Sequence, residues 1–371
     1  QGFTEVVIPT ANAKEAGLVD GIDIYPAQNL QEVIRHIDSN HPDPTKLAKQ
    51  PLTTLTEDRG ENEVLLEDIK GQTQAKRALA IAAAGKHNLL LVGPPGTGKT
   101  MLARALAGIL PPLTREEALA VTAIHSVAGA LTESLSSVPP FRAPHHSASH
   151  TALVGGGSIP KPGEVTLAHH GVLFMDEFAE FERRSLDALR QPLEDKQVSI
   201  ARVQNTAEFP ANFLLIAALN PYRGNEDGTT DYMQAIKDSY GNKISGPILD
   251  RIDLWVEMPH VDYRTLQNTS EAGETEKIRR AINTAREKMQ KRSQNDAPLV
   301  NADLSSRDIE ETIRLSAEVQ ELLHTSSQKL NLSPRSYHRL IKVARTIADL
   351  DNAEDIESKH LLEALQFRTK L

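Results

Sequence analysis

No cysteine occurs in the 371 residues, so neither a disulfide nor a thiolate metal site can form. Aromatic residues make up only 4%, with a single tryptophan, which leaves most apolar burial to Leu, Ile, Val and Ala. No apolar run approaches the roughly 20 residues that span a bilayer. No signal-peptide pattern opens the chain either, and the expectation is a soluble, cytoplasmic protein with no membrane attachment. An excess of positive charge is missing too. The 41 Lys and Arg against 50 Asp and Glu give a net charge of −9, so contact with a polyanion has to be made by a local patch. Residues 1–60 carry five Lys/Arg against nine Asp/Glu, whereas 264–300 carry eight against five.

What is present divides the chain into four expected parts. Residues 1–38 read as a small α/β piece, with strands at Val6–Ile8 and Ile22–Tyr25 and a helical pattern through Leu30, Val33, Ile34 and Ile37. So short a segment cannot bury a core alone and is expected to be the end of something larger. Residues 39–63, rich in Pro, Asp and Thr, read as a linker. Residues 64–262 alternate short apolar runs (Asn88–Val92, Val172–Met175, Phe213–Leu219, Leu254–Met258) with helical stretches, which predicts a parallel sheet covered on both faces. Residues 263–371 are helical throughout. Ser305 followed by Asp308 forms a capping-box pattern, and Pro334 suits the first turn of a second helix. The fold class is therefore α/β with a parallel sheet, followed by an all-helical lid.

The run Gly93-Pro94-Pro95-Gly96-Thr97-Gly98-Lys99-Thr100 satisfies the phosphate-loop pattern G-x-x-x-x-G-K-[ST] in full and leads into Met101. It lies between an apolar strand and a helical run. There its glycines let backbone amides turn toward phosphate oxygens at the positive end of the following helix. Lys99 would reach the outer phosphates of ATP and the Thr100 hydroxyl would bind Mg²⁺. A glycine-rich turn that binds nothing is the competing reading, and the strand–loop–helix context argues against it.

A second apolar strand ends in Asp176-Glu177. Alternation along a strand would send the two carboxylates to opposite faces, Asp176 toward Mg²⁺ and Glu177 toward the attacking water. Asn220 closes a third strand and is suited to hold that water or the γ-phosphate. Arg251, in Leu249-Asp250-Arg251-Ile252-Asp253, is placed to neutralise phosphate charge as an arginine finger does. A surface ion pair is the plain alternative for it.

The ordered set of motifs resembles the magnesium-chelatase-like AAA+ ATPases, and within them the bacterial ComM/YifB group. The resemblance is carried by HNLLLVGPPGTGKT (87–100), FRAPHHSAS (141–149), LVGGG (153–157), PGEVTLAHHGVLFMDE (162–177), DALRQPLE (187–194), ILDRID (248–253) and LIKVARTIADL (340–350). It implies a homo-hexamer with ATP sites between subunits, and a helicase or branch-migration motor acting on single-stranded or branched DNA. It also implies a role in recombination and competence for transforming DNA, with recombination proteins as partners. Residues 1–38 would be the end of an S5-like domain lying mostly upstream. Relatives usually carry a cysteine cluster after the sensor asparagine; the stretch 221–228 has none, and no zinc is expected there. Arg335 matches the family's sensor-2 arginine. Arg335, Arg339 and Lys342 share one stripe of their helix, for the last two of which a solvated basic face is an equal alternative.

Two pore hairpins are implied, within about 143–168 and 195–212 by the resemblance. Lys161 and Arg202 are then candidates for DNA phosphate contacts, against an ordinary role as surface cations. His145, His146, His150, His169 and His170 cluster in sequence, but no carboxylate stands at ligand spacing, which favours polar loop roles over a metal. A protein-remodelling motor, like the magnesium-chelatase I-subunit, remains the alternative function. The nucleotide motifs serve both.

Overall fold

The computed structural model describes residues 2–57, 59, 63–130, 136–157, 160–201, 206–220, 243–260, 272–293, 300–330 and 332–368. These form two compact units, one of residues 1–58 with 112–138 and the other of 59–111 with 139–371.

In the first unit, strand β1 (Glu5–Pro9) pairs in parallel with β2 (Asp23–Ala27), Val6 opposite Ile24 and Ile8 opposite Pro26. The helix Leu30–Ile37 follows, its first turn capped by the Asn29 side chain, which accepts from the Glu32 amide at 3.1 Å. The segment read as a linker folds back on these elements: the Gln50 amide donates to the Ile24 carbonyl and the Thr53 amide to that of Gly17. Residues 112–138 were expected inside the 64–262 domain. Their helix Arg115–Ala128 instead groups with the N-terminal residues, Arg115 donating to the Leu18 carbonyl at 2.6 Å and the Ser137 amide to that of Thr56. The sequence could not reveal this, because the hydrogen bonds join residues about a hundred positions apart.

The second unit is built on five parallel strands. Strands β3 (Leu89–Val92) and β4 (Phe141–Arg142) are followed by a short antiparallel hairpin of β5 (Gly155–Gly156) and β6 (Lys161–Pro162). Then come β7 (Val172–Met175), a second hairpin of β8 (Gln197–Ala201) and β9 (Thr206–Pro210), β10 (Leu214–Leu219) and β11 (Leu254–Glu257). The sheet order is β11-β3-β10-β7-β4. Both hairpins fall where pore loops were expected.

Every described residue of β3, β7 and β10 is buried, as continuous apolar runs require when both faces are covered. The period of two then sorts the residues. Leu89, Leu91, Phe174, Ile216 and Val256 join a core with the helices Thr73–Gly85, Lys99–Ile109, Glu274–Arg292 and Pro334–Leu350. Leu90, Leu173, Met175, Leu215 and Trp255 join a second core with Leu153, Val165, Phe178 and Ile248. The helical lid thus shares the first core with the sheet, through the alanine-rich helix Thr73–Gly85. Where β7 begins, Gly171 passes against the chain before β4, and a Cβ there would overlap the Pro140 carbonyl oxygen. Both caps foreseen in the lid are present: Ser305 and Asp308 exchange hydrogen bonds, and Pro334 starts its helix behind Ser333. Among the described residues no helix is long and apolar enough to cross a membrane.

Candidate active site

The phosphate loop leaves the carboxyl end of β3, wedged between two neighbours. The Gly93 amide donates to the Leu219 carbonyl, the Met258 amide donates to that of Val92, and a Cβ on Gly93 would overlap the Met258 carbonyl. Gly96 and Gly98 have φ of +81° and +89°, the left-handed region where a side chain is strained, so the loop's path depends on glycine. Pro95, Gly96 and Met101 are exposed while Thr97 is buried, its hydroxyl donating to the Pro94 carbonyl at 2.9 Å. The Lys99 amine bends back into the loop and donates to the Gly93 and Pro94 carbonyls at 2.8 and 2.9 Å. Burial lowers the Lys99 pKa and the Asp176 charge opposes that, so an anion entering the loop would stabilise the ammonium further.

The Thr100 hydroxyl donates to Asp176 Oδ2 at 3.1 Å, joining the head of the loop helix to the end of β7. A hydroxyl and a carboxylate in contact at the carboxyl edge of the sheet are the hard oxygen donors that Mg²⁺ takes. Strand alternation does not send the two acids to opposite faces, and both line one pocket. β7 stops at Met175, the Glu177 amide donates to Asp176 Oδ1, and Glu177 takes a left-handed conformation (φ 49°). Its Oε2 meets His146 Nδ1 at 3.0 Å. Thr100, Arg104, His145, His146, Asp176 and Glu177 line a pocket of about 360 Å³ beside the loop. Asn220 sits half-buried at the carboxyl end of β10, the strand hydrogen-bonded between β3 and β7.

The arginines lie elsewhere. Leu254 stands opposite Leu89 in the parallel pairing of β11 with β3, so Arg251 precedes the amino end of the sheet, whereas the phosphate loop follows its carboxyl end. Arg251 is itself 8% exposed, yet it makes the ion pair of the plain alternative, with the half-exposed Glu194. It donates to the Pro247 carbonyl at 2.5 Å and to Glu194 Oε2, while Arg335 reaches Glu194 Oε1 at 3.4 Å. One carboxylate holds both arginines, and its hydrogen bond from Arg251 keeps the Glu194 pKa below its ordinary value.

Arg339 and Lys342 do not form a solvated face. Arg339 pairs with Asp253 Oδ1 at 3.3 Å, Lys342 donates to the Ala302 carbonyl at 3.0 Å, and both line a cavity of about 770 Å³ with Arg251, Arg335 and Lys196. Asp253 also meets His87 Nδ1 at 3.3 Å. Burial alone would raise the Asp253 pKa, but the Arg339 charge and the His87 hydrogen bond outweigh it and bring it down to about 2.

Lys161 is exposed on β6. Arg202 and the cysteine-free stretch 221–228 lie outside the described residues. Among the described residues no group of three or more His, Asp or Glu could hold a metal ion. His169 Nδ1 accepts from the Asn212 amide at 3.0 Å, a loop role of the kind expected. Three contacts escaped the sequence reading: His146 with Glu177, Glu194 with the two arginines, and the His87–Asp253–Arg339 chain. His146 and Glu194 stand inside the quoted blocks FRAPHHSAS and DALRQPLE, but only folding shows what they touch.

Residues 65–266 match the model for magnesium chelatase, subunit ChlI, and residues 272–368 that for its C-terminal part. Competence protein ComM of Haemophilus influenzae is 46% identical over 98% of this chain and 71% of its own length. The uncharacterized protein YifB of Salmonella typhimurium is 44% identical over the same shares. At greater distance, 64% of this chain matches 23% of the rice DNA replication licensing factor MCM2 at 25% identity. With a five-stranded parallel sheet, a phosphate loop at its carboxyl edge and a helical lid, the chain belongs to the magnesium chelatase ChlI family of AAA+ proteins, alongside ComM and YifB.

Proposed function

We propose that this chain is an ATP-hydrolysing subunit of a homo-hexameric ring that moves single-stranded or branched DNA, as a helicase or branch-migration motor serving recombination and the uptake of transforming DNA. The observation that carries the reading is the meeting of Lys99 and Thr100 with Asp176 and Glu177 at one edge of the sheet. Gly93 to Met101 would wrap the phosphates, with the Lys99 amine exchanging loop carbonyls for phosphate oxygens. Thr100 and Asp176 would hold Mg²⁺, which supplies charge neutralisation at the outer phosphates when bound. Glu177 takes the proton of the attacking water and Asn220 orients that water.

Arg251 and Arg335 support the ring. Their own phosphate loop is separated from them by at least a four-residue strand, roughly 13 Å. They therefore serve the nucleotide of a neighbouring subunit, and the site is complete only between two copies. Similarity to ComM, a competence protein, and to MCM2, a DNA replication licensing factor, favours DNA as the cargo over polypeptide. The exposed Lys161 on the first hairpin agrees, because each cation repeated around a ring adds a phosphate contact.

The test is the ATPase rate of purified protein with Mg²⁺, with and without single-stranded and branched DNA at two salt concentrations. DNA should stimulate turnover, less so at high salt. Glu177→Gln should bind ATP normally and hydrolyse it about 100-fold more slowly or worse. Stimulation by an unfolded polypeptide and not by DNA would move the assignment to protein remodelling.

A further inference from the structure

The cavity at the amino edge of the sheet is lined by more positive charge than its carboxylates balance. Lys86, Lys196, Arg251, Arg335, Arg339 and Lys342 border its volume of about 770 Å³, against three carboxylates among the described lining residues. Each carboxylate is already engaged. Glu194 holds Arg251 and Arg335, Asp253 holds Arg339, and Asp303 holds Lys196.

The excess gathers around Lys342. Its amine donates to a neutral group, the Ala302 carbonyl, at 3.0 Å. Burial lowers its pKa most, Asp253 and Asp303 oppose that, and the charges of Arg339 and Lys196 lower it further. The three cations are thus close enough to act on one another. Arg339 is largely withdrawn from solvent, and burial lowers its pKa too. Its Nε faces Asp253, while its Nη1 is buried with no hydrogen-bond partner among the described residues. A buried donor without an acceptor, beside ammonium groups that repel one another, is an arrangement that a bound oxyanion stabilises.

We propose that this cavity is a second oxyanion site, separate from the phosphate loop, which takes free phosphate or pyrophosphate on Lys342, Arg339 and Lys196. A phosphate group carries about two negative charges and spreads its acceptor oxygens tetrahedrally, so it can meet donors arriving from a helix and from the base of a hairpin. A single carboxylate offers one charge and acceptors in one plane. The volume falls in the range of small-molecule sites. None of the three cations is assigned to the nucleotide in the ATPase reading, so the site does not depend on it.

The test is pyrophosphate binding, by calorimetry, to the full chain carrying Lys99→Ala, which removes the lysine of the phosphate loop. This variant should still bind one pyrophosphate per chain, and adding Lys342→Met should weaken binding by about tenfold or more. A second readout keeps Lys342 in place and needs no variant in the cavity. Acetylation of lysines, followed by mass spectrometry, should slow severalfold at Lys342 and Lys196 when pyrophosphate is added to the Lys99→Ala chain, and stay unchanged at the exposed Lys161. Loss of all pyrophosphate binding with Lys99→Ala overturns the proposal, and so does binding that leaves Lys342 unprotected. Protection of Lys342 by ATP only when Lys99 is intact, with none by pyrophosphate in Lys99→Ala, gives the cavity to the nucleotide of a neighbouring subunit and overturns it as well. A protein that binds pyrophosphate here but lacks ATPase activity sinks the nucleotide reading alone, because neither readout needs turnover.

Discussion

At the scale of single residues, the largely buried pair Asp253–Arg339 shows how charge drawn out of solvent sets pH dependence. Removing one member leaves the other buried without its counter-ion, which is where the large cost arises. The folded Asp253 pKa, about 2, lies below its ordinary 3.8. Its ionised form is therefore favoured by folding, so the contribution is whole above about pH 4 and is lost as the pH falls toward 2. Asp253→Asn should cost about 2–4 kcal/mol by urea denaturation at neutral pH. The gap to wild type should narrow steadily below about pH 4, and a gap that stays constant there would remove the ion pair as its source. The same pair explains why the lid helix offers Arg335 to the outside while Arg339, one turn on, is committed to the base of β11.

At the scale of elements, the Pro334–Leu350 helix is positioned by its ends as much as by its face. Ser333 Oγ accepts from the Ser336 amide at 3.2 Å and Pro334 needs no amide partner, so the first turn is set before Arg335 is reached. Ser333→Ala should lower stability by about 1 kcal/mol, read by urea denaturation, whereas Ser333→Asp keeps a capping oxygen and should restore it. If Asp does no better than Ala, the cap is not what holds that turn. Helix starts, and the strand runs of the sheet, were legible in the sequence because each depends on residues within a few positions of one another. The grouping of 112–138 with the N-terminal residues was not, since the Ser137–Thr56 and Arg115–Leu18 bonds join distant stretches.

At the scale of the whole molecule, the proposed ring makes assembly a catalytic requirement, because Arg251 and Arg335 are separated from the phosphate loop of their own subunit. A ring built from head-to-tail contacts sets the amino end of one sheet against the carboxyl end of the next. Mixing Lys99→Ala subunits with Arg251→Ala subunits should then recover activity that neither has alone. With random mixing at equal amounts, roughly one interface in four pairs an intact loop with an intact finger. Recovery is read as ATPase rate against mixing ratio, with a maximum near equal amounts. A mixture as inactive as its components would mean that Arg251 acts within its own subunit.

What the amino-acid sequence determined by itself was the chemistry and its order: a complete phosphate loop, an acidic pair after an apolar strand, an asparagine, and two arginines. Those signals are local, and glycine, lysine and carboxylate in fixed succession have few other uses. The tertiary structure alone decided which of these groups meet. It put Thr100 on Asp176 and His146 on Glu177 at one edge of the sheet, and Glu194 between Arg251 and Arg335 at the other. The reason is geometric: five parallel strands carry their loops to two opposite edges, and only the strand order and register say which residues share an edge.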